Sequence, residues 1–371
     1  MKLKLIFTIC FALAVLTTSL FASIMLADTL YVDSKKGDDT NPGTEDKPLR
    51  TIGKAVLLVN SKTEEGPTTI KIAPGIYTLV EPVIVKNNRP YTEKNRMVIE
   101  ATILPDHPEW KPSLMPVILS TDSPQQPAKP DTLPETSGLK VEINHVTIRG
   151  LKFLGNPIME VWYYPIYREG KNLEDLVVTQ CLFVMDSNAL TSNVAVLANG
   201  HGLVIDHCIF YHCRNPVVFW NAEGGISRGN AMRYCIVDGA YTSAVWVCQT
   251  GEDFEFHHNI ITRSEYVWMR DYENKRTYQL HDCIMTENKQ YSAACGPNWK
   301  VNLTGSEIVF EENNVIKEGN IKVELGNGID IAVPRNYLHV VHGTLGSELG
   351  AGLFITEWKP EAVKKTSKES D

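Results

Sequence analysis

Between residues 141 and 318 the chain repeats one short phrase, an alternating strand followed by Cys or Asn and then two aliphatic or aromatic residues. It reads Leu151-Lys152-Phe153, Cys181-Leu182-Phe183, Cys208-Ile209-Phe210, Cys235-Ile236-Val237, Asn259-Ile260-Ile261, Cys283-Ile284-Met285 and Asn314-Val315-Ile316. The first members are 30, 27, 27, 24, 24 and 31 residues apart. A period of about 20–50 residues marks a repeat architecture. Three positions before each phrase stands an apolar residue: Ile148, Val178, Ile205, Met232, Phe256 and Leu280. Two positions before it stands a polar one: Arg149, Thr179, Asp206, Arg233, His257 and His281. Side chains alternate along a strand, so the first column points inward and the second outward. The coil at Asn314 fits only with a shift of one residue. The intervals are β-branched, aromatic and turn-rich, without the helix that leucine-rich or ankyrin repeats carry. Three short strands per turn fit instead, with coils stacked at about 4.8 Å and equivalent residues in ladders. The pattern predicts an all-β chain, a right-handed parallel β-helix of about seven or more coils.

The ends of the chain read differently. Lys2 and Lys4 precede an apolar run from Leu5 to Leu16 and then small residues, so residues 1–27 are read as a secretory signal peptide, with cleavage after Ala27 or Ala22. That places the protein outside the cytoplasm, secreted or periplasmic. No later stretch is long and apolar enough for a membrane anchor. A solenoid grows without a second core, so residues 28–357 are expected to form one β-helix domain. Its front, 28–77, is a cap module in which Ile52, Ala55, Val56 and Val59 share one helical face suited to cover the open apolar end of the stack. Residues 104–138, rich in proline, are expected as a side loop, 141–325 as the regular coils and 358–371 as a charged tail.

Charge and cysteine content narrow the partners. The net charge of −8 with scattered basic residues leaves no footprint for nucleic acid. Of eight cysteines one leaves with the leader, and the sequence holds no CxxC pair. A disulfide framework or a zinc cluster is therefore a poor reading, and no metal-ligand set is assigned. The Cys and Asn ladder reads as small side chains stacked at a buried turn.

At the front, Tyr31-Val32-Asp33 leads into Gly37-Asp38-Asp39-Thr40-Asn41-Pro42-Gly43-Thr44, then Pro48-Leu49-Arg50-Thr51-Ile52, Lys54-Ala55-Val56 and Ala73-Pro74-Gly75-Ile76-Tyr77. This order resembles the N-terminal module of secreted pectate-lyase-like β-helix proteins. Similar modules precede polysaccharide lyases, glycosidases, epimerases and proteins of unknown role, so the resemblance implies fold and a carbohydrate context. Gly343 to Ala351 resembles the closing stretch of the same proteins. Asp38, Asp39 and Asn41 could hold calcium or stabilise their own turn; no other cofactor is expected.

The candidate chemistry lies near one strand of each coil: Val217-Val218-Phe219-Trp220, Val245-Trp246-Val247-Cys248 and Val267-Trp268-Met269-Arg270. With valine inward, Trp246 and Trp268 are expected outward on neighbouring rungs, and Trp220 in the next outward row with Cys248 and Arg270. With Trp162 they would form a platform on which sugar rings stack, Arg214 beside it. Packing beneath the Pro-rich loop is the alternative use of these rings. The resemblance implies a cleft along this strand. There Arg263, Arg270, Tyr241 and Lys289 could neutralise a uronate and remove its proton, as a lyase needs. Asp238 and Glu265, on adjacent coils, could act as the carboxylate pair of a glycosidase. The Arg and Lys motifs of known lyase groups are not recognisable. His257 and His281 on the polar stripe could serve acid–base chemistry, bind a metal, or simply hydrate the face. A polysaccharide is the expected partner, cleaved or modified by an enzyme or held by a non-catalytic binding protein.

Overall fold

Short apolar strands broken by residues that accept a left-handed backbone wind the chain into a parallel β-solenoid of about eight turns. The computed structural model describes residues 28–353 apart from 64–65, 67, 87–88, 125–132, 159, 171, 222–224, 272–274, 297–300, 303–308, 325–338 and 342. The expected leader and charged tail lie outside these residues. Three faces run the length of the stack. The first carries Val146–Arg149, Leu176–Thr179, Leu203–Asp206, Ala231–Arg233 and Glu255–His257; the second carries Lys152–Leu154, Leu182–Val184, Ile209–Tyr211, Ile236–Asp238 and Ile260–Thr262. The third carries Glu135–Val141, Trp162–Arg168, Val196–Ala198, Val217–Phe219, Ser243–Val247, Tyr266–Asp271 and Gln290–Cys295.

Register follows the sequence phrase. Val178, Ile205, Met232, Phe256 and Leu280 pair rung by rung and are at most 1 % exposed. On the second face Phe153, Phe183 and Phe210 stack inside at 5.1 and 4.7 Å. Val315 pairs with Cys283, so Asn314 stands one place before the ladder, as the one-residue shift requires.

The residue before each phrase makes the sharp corner between first and second faces. Gln180, His207, Tyr234, His258, Asp282 and Asn314 all have φ between 47 and 54°. The ladder residue then bonds across the coils: Cys208 Sγ lies 3.4 Å from Val178 O, and Asn259 Nδ2 donates to Met232 O at 2.7 Å. A small donor reaching the preceding coil explains why Cys and Asn interchange there. All seven cysteines of the described chain are free and buried.

Helix α1 (Ile52–Asn60) closes the front with Ile52, Ala55, Val56 and Val59 buried, and Thr51 Oγ1 accepts from Lys54 N at its start. Two expectations need correction. Within the segment read as a side loop, Val117–Ser120 and Glu135–Val141 are coil strands, because their alternating apolar positions find register with neighbouring coils. Parallel pairing also begins before 141, from Asp28–Val32 with Thr68–Ile72 onward. From the first part of that segment Trp110 and Met115 pack over an outward apolar row, Leu182, Ile209, Ile236, Ile260 and Ile284. Ile321, Val340 and Leu353 from the C-terminal segment complete the cover.

Candidate functional site

The corner between second and third faces gathers most of the candidate residues. Asp238 points outward at the end of its strand, in a row with Tyr211 and Thr262. Arg263, at φ 54° on the next coil, reaches back over it. Its Nε donates to Asp238 Oδ1 at 2.8 Å and its Nη1 to Glu287 Oε2 at 2.9 Å. Burial alone would lower the Arg263 pKa; the bonds and charges of Asp238 and Glu287 outweigh it and raise it. Asp238 is 2 % exposed, so its carboxylate is held by Arg263 rather than by water.

Two residues along from Arg263 lies the row Arg214, Tyr241, Glu265 and Lys289. Lys289 Nζ donates to Glu265 Oε2 at 2.6 Å, which raises the lysine pKa. Burial pushes the Tyr241 hydroxyl up to about 12, where it does not ionise near neutrality. Arg214 is exposed and makes no ion pair among the described residues, with Tyr164 and Tyr241 in its field. The two expected carboxylates thus do sit on adjacent coils, each already paired with a cation.

A one-residue bulge decides which tryptophans face out. Consecutive amides Glu265 N and Tyr266 N bond to Ala240 O and Thr242 O, two carbonyls that are not consecutive. The extra residue puts Val245 opposite Trp268, Trp246 opposite Met269 and Val247 opposite Arg270. Trp268 is therefore not on the outer surface: it is fully buried in the core, 4.6 Å from Phe256 and 4.9 Å from Phe310. Arg270 likewise turns inward, 4 % exposed, with Nη1 donating to Asp271 O. It is Asp271 that follows Cys248 in the Trp220 row, since Val247 pairs with Arg270 and Cys248 and Asp271 are the next places along.

The outer patch of the third face that results is continuous. Tyr164, Val194, Leu197 and Val218 form its floor, and the half-buried Trp162, Tyr167, Trp220 and Trp246 pack around them. Trp246 Nε1 donates to Asn215 Oδ1 at 2.9 Å, which fixes the ring beside Arg214. Asn193 Nδ2 donates to the Tyr164 hydroxyl at 3.1 Å. The loop Asp38, Asp39 and Asn41 uses its side chains on itself: Asp39 accepts from Arg50 N and Thr51 N, Asp38 from Thr40, and Asn41 donates to Pro48 O.

The polar stripe of the first face is also as spaced. Arg233 bonds Asp206 at 3.0 Å and Glu255 at 3.1 Å, and the His257 and His281 rings stack at 4.8 Å. Burial, then the charges of His281 and His258, pushes His257 down to about 4. The neighbouring corner row of His207, Tyr234, His258 and Asp282 was missed, although it too recurs once per coil, immediately before the Cys or Asn.

A family described as a protein of unknown function, DUF1565, matches residues 35–90. No curated protein matches the chain in sequence. Among solved structures it is similar to a GH136 lacto-N-biosidase from Eubacterium ramulus, at 10 % identity and TM-score 0.44 over 78 % of this chain and 68 % of that one. It is similar to a rhamnogalacturonan lyase at 13 % identity and TM-score 0.45, over 72 % and 70 %. A pectin methylesterase from Aspergillus niger covers 82 % of this chain and 87 % of its own at 10 % identity and TM-score 0.40. The parallel β-solenoid itself rests on the strand register described above.

Proposed function

We propose that the protein binds a polysaccharide outside the cytoplasm, along the outer surface of the third face, with Arg214 facing an acidic group of the sugar. The observation that carries this is the continuous aromatic patch of Trp162, Tyr164, Tyr167, Trp220 and Trp246 next to an exposed guanidinium that makes no ion pair among the described residues. Flat rings meet the C–H faces of sugars, and a guanidinium matches a carboxylate or sulfate through paired donors. Binding without turnover is the reading the corner supports best, because Asp238 and Glu265 are each engaged by a cation. Cleavage is the second reading. It is favoured by the half-exposed Glu265, whose partner Lys289 is a surface side chain, 73 % exposed.

The test is a panel of neutral and acidic polysaccharides, scored for binding, unsaturated uronates and reducing ends. Replacing Trp220 and Trp246 together by alanine should weaken binding about 30-fold, since two stacked rings contribute about 2 kcal/mol. Arg214→Ala should weaken binding of acidic polymers and leave neutral ones unchanged. An unaltered affinity in the double variant, or no polymer bound by the parent, sinks the proposal. Product release that disappears in Glu265→Gln with binding retained would establish the second reading.

A further inference from the structure

We propose that His258, His281 and Asp282 form a binding site for a divalent transition-metal ion, zinc being the best match. The site lies at the corner between first and second faces, on different elements from the aromatic patch, and does not depend on the glycan reading. One ligand atom from each of the three residues lies within 4.8 Å of the others. A tetrahedral ion with bonds of about 2.0–2.1 Å keeps its donors about 3.3 Å apart, so small side-chain rotations close the set.

The backbone brings these donors together by repetition. His258 and Asp282 occupy the same left-handed corner position on adjacent coils, with φ of 54 and 53°, so their side chains leave the stack in parallel. His281 precedes Asp282 on the outward row and pairs with His257. The supporting contacts hold these groups in place. Asn314 Nδ2 donates to Asp282 Oδ1 at 2.6 Å, leaving Oδ2 turned towards His281 Nδ1 at 3.0 Å. The Tyr234 ring lies 4.7 Å from the His258 ring, and His257 stacks on His281. His257 Nδ1 is 3.0 Å from His258 Nδ1, near enough to be a fourth donor. A hydrogen bond to the other oxygen of a ligating carboxylate, as Asn314 makes here, sets ligand direction in metal sites.

Charge and donor type select the ion. The neighbouring cation Arg233 is taken up by Asp206 and Glu255, so its repulsion of a bound ion is offset. Two imidazoles with one carboxylate suit zinc and its transition-metal neighbours. Calcium, which takes about 6–8 oxygens, has one carboxylate here.

The experiment uses the tag-free secreted chain, treated with chelator, dialysed and titrated calorimetrically with zinc chloride and separately with calcium chloride. One zinc per chain should bind in the micromolar range or tighter, with no calcium isotherm. His281→Gln and Asp282→Asn should each weaken zinc at least about tenfold while circular dichroism and melting temperature stay those of the parent. His258→Asn keeps a residue that tolerates the left-handed corner and should do the same. Should any of these fail to fold, Asn314→Gly keeps every donor and should still weaken zinc. Absence of saturable zinc binding by the parent, or zinc affinity unchanged in folded His281→Gln and Asp282→Asn, would overturn the assignment.

Discussion

Ile205 has no exposed surface and lies between Val178 and Met232 in the inward column. Aspartate there would bury an unpaired carboxylate at a cost of about 3 kcal/mol or more, so the yield of folded protein and the melting temperature should both collapse. A parent-like melt would contradict the register. Tryptophans on the third face separate in the same way. Trp268→Ala should cost about 3–5 kcal/mol in urea unfolding because it empties core space beside Phe256, whereas Trp246→Ala should cost little. Equal losses would mean that the bulge is misplaced. Asp206 governs part of the acid limit. Burial tends to raise its pKa, but bonds and charge from His207 and then Arg233 outweigh this and hold it below the usual range. A carboxyl depressed in the folded state binds fewer protons than in the unfolded chain. Its stabilisation is therefore complete above the unfolded value of about 3.9 and is lost as pH falls through the folded one. Asp206→Asn should lower the melting temperature at pH 7 and flatten its decline below about pH 4. A decline as steep as the parent's would remove Asp206 from that role.

Among the elements, α1 was legible because four apolar residues at helical spacing need only a surface to cover, and the stack end supplies it. The cover over the second face was not legible. Ile209, Ile236, Ile260 and Ile284 look like core in any register, yet they point out and are sealed by segments far away in sequence. Gly346 tests that seal. It sits at φ 85°, and a Cβ there would lie 2.7 Å from Ile284 Cδ1 and 3.3 Å from Ile260 Cδ1. Gly346→Val should lift the C-terminal segment, lower stability by about 1–3 kcal/mol and increase binding of a hydrophobic dye. Parent-like dye binding and stability would show that the segment does not depend on this contact.

At the scale of the whole molecule, each coil shields its neighbours, and the ends need their own protection. Val56, on the buried face of α1, is 2 % exposed. Val56→Asp should loosen the cap, expose strand edges and cause self-association visible by light scattering. A monodisperse, parent-like sample would assign end protection to another segment. Sequence alone determined the repeat, the inward column, the cap and the corner carboxylates, because a stacked coil repeats the same environment at the same offset. Tertiary structure decided the rest. One inserted residue near Thr242 turned Trp268 and Arg270 inward and left Asp271 outside, since slipping a strand by one place exchanges its two faces. Which charges are engaged was likewise a matter of neighbours: Arg263 meets Asp238 and Glu287 across coils at separations of 25 and 24 residues, so their contact depends on the register between coils.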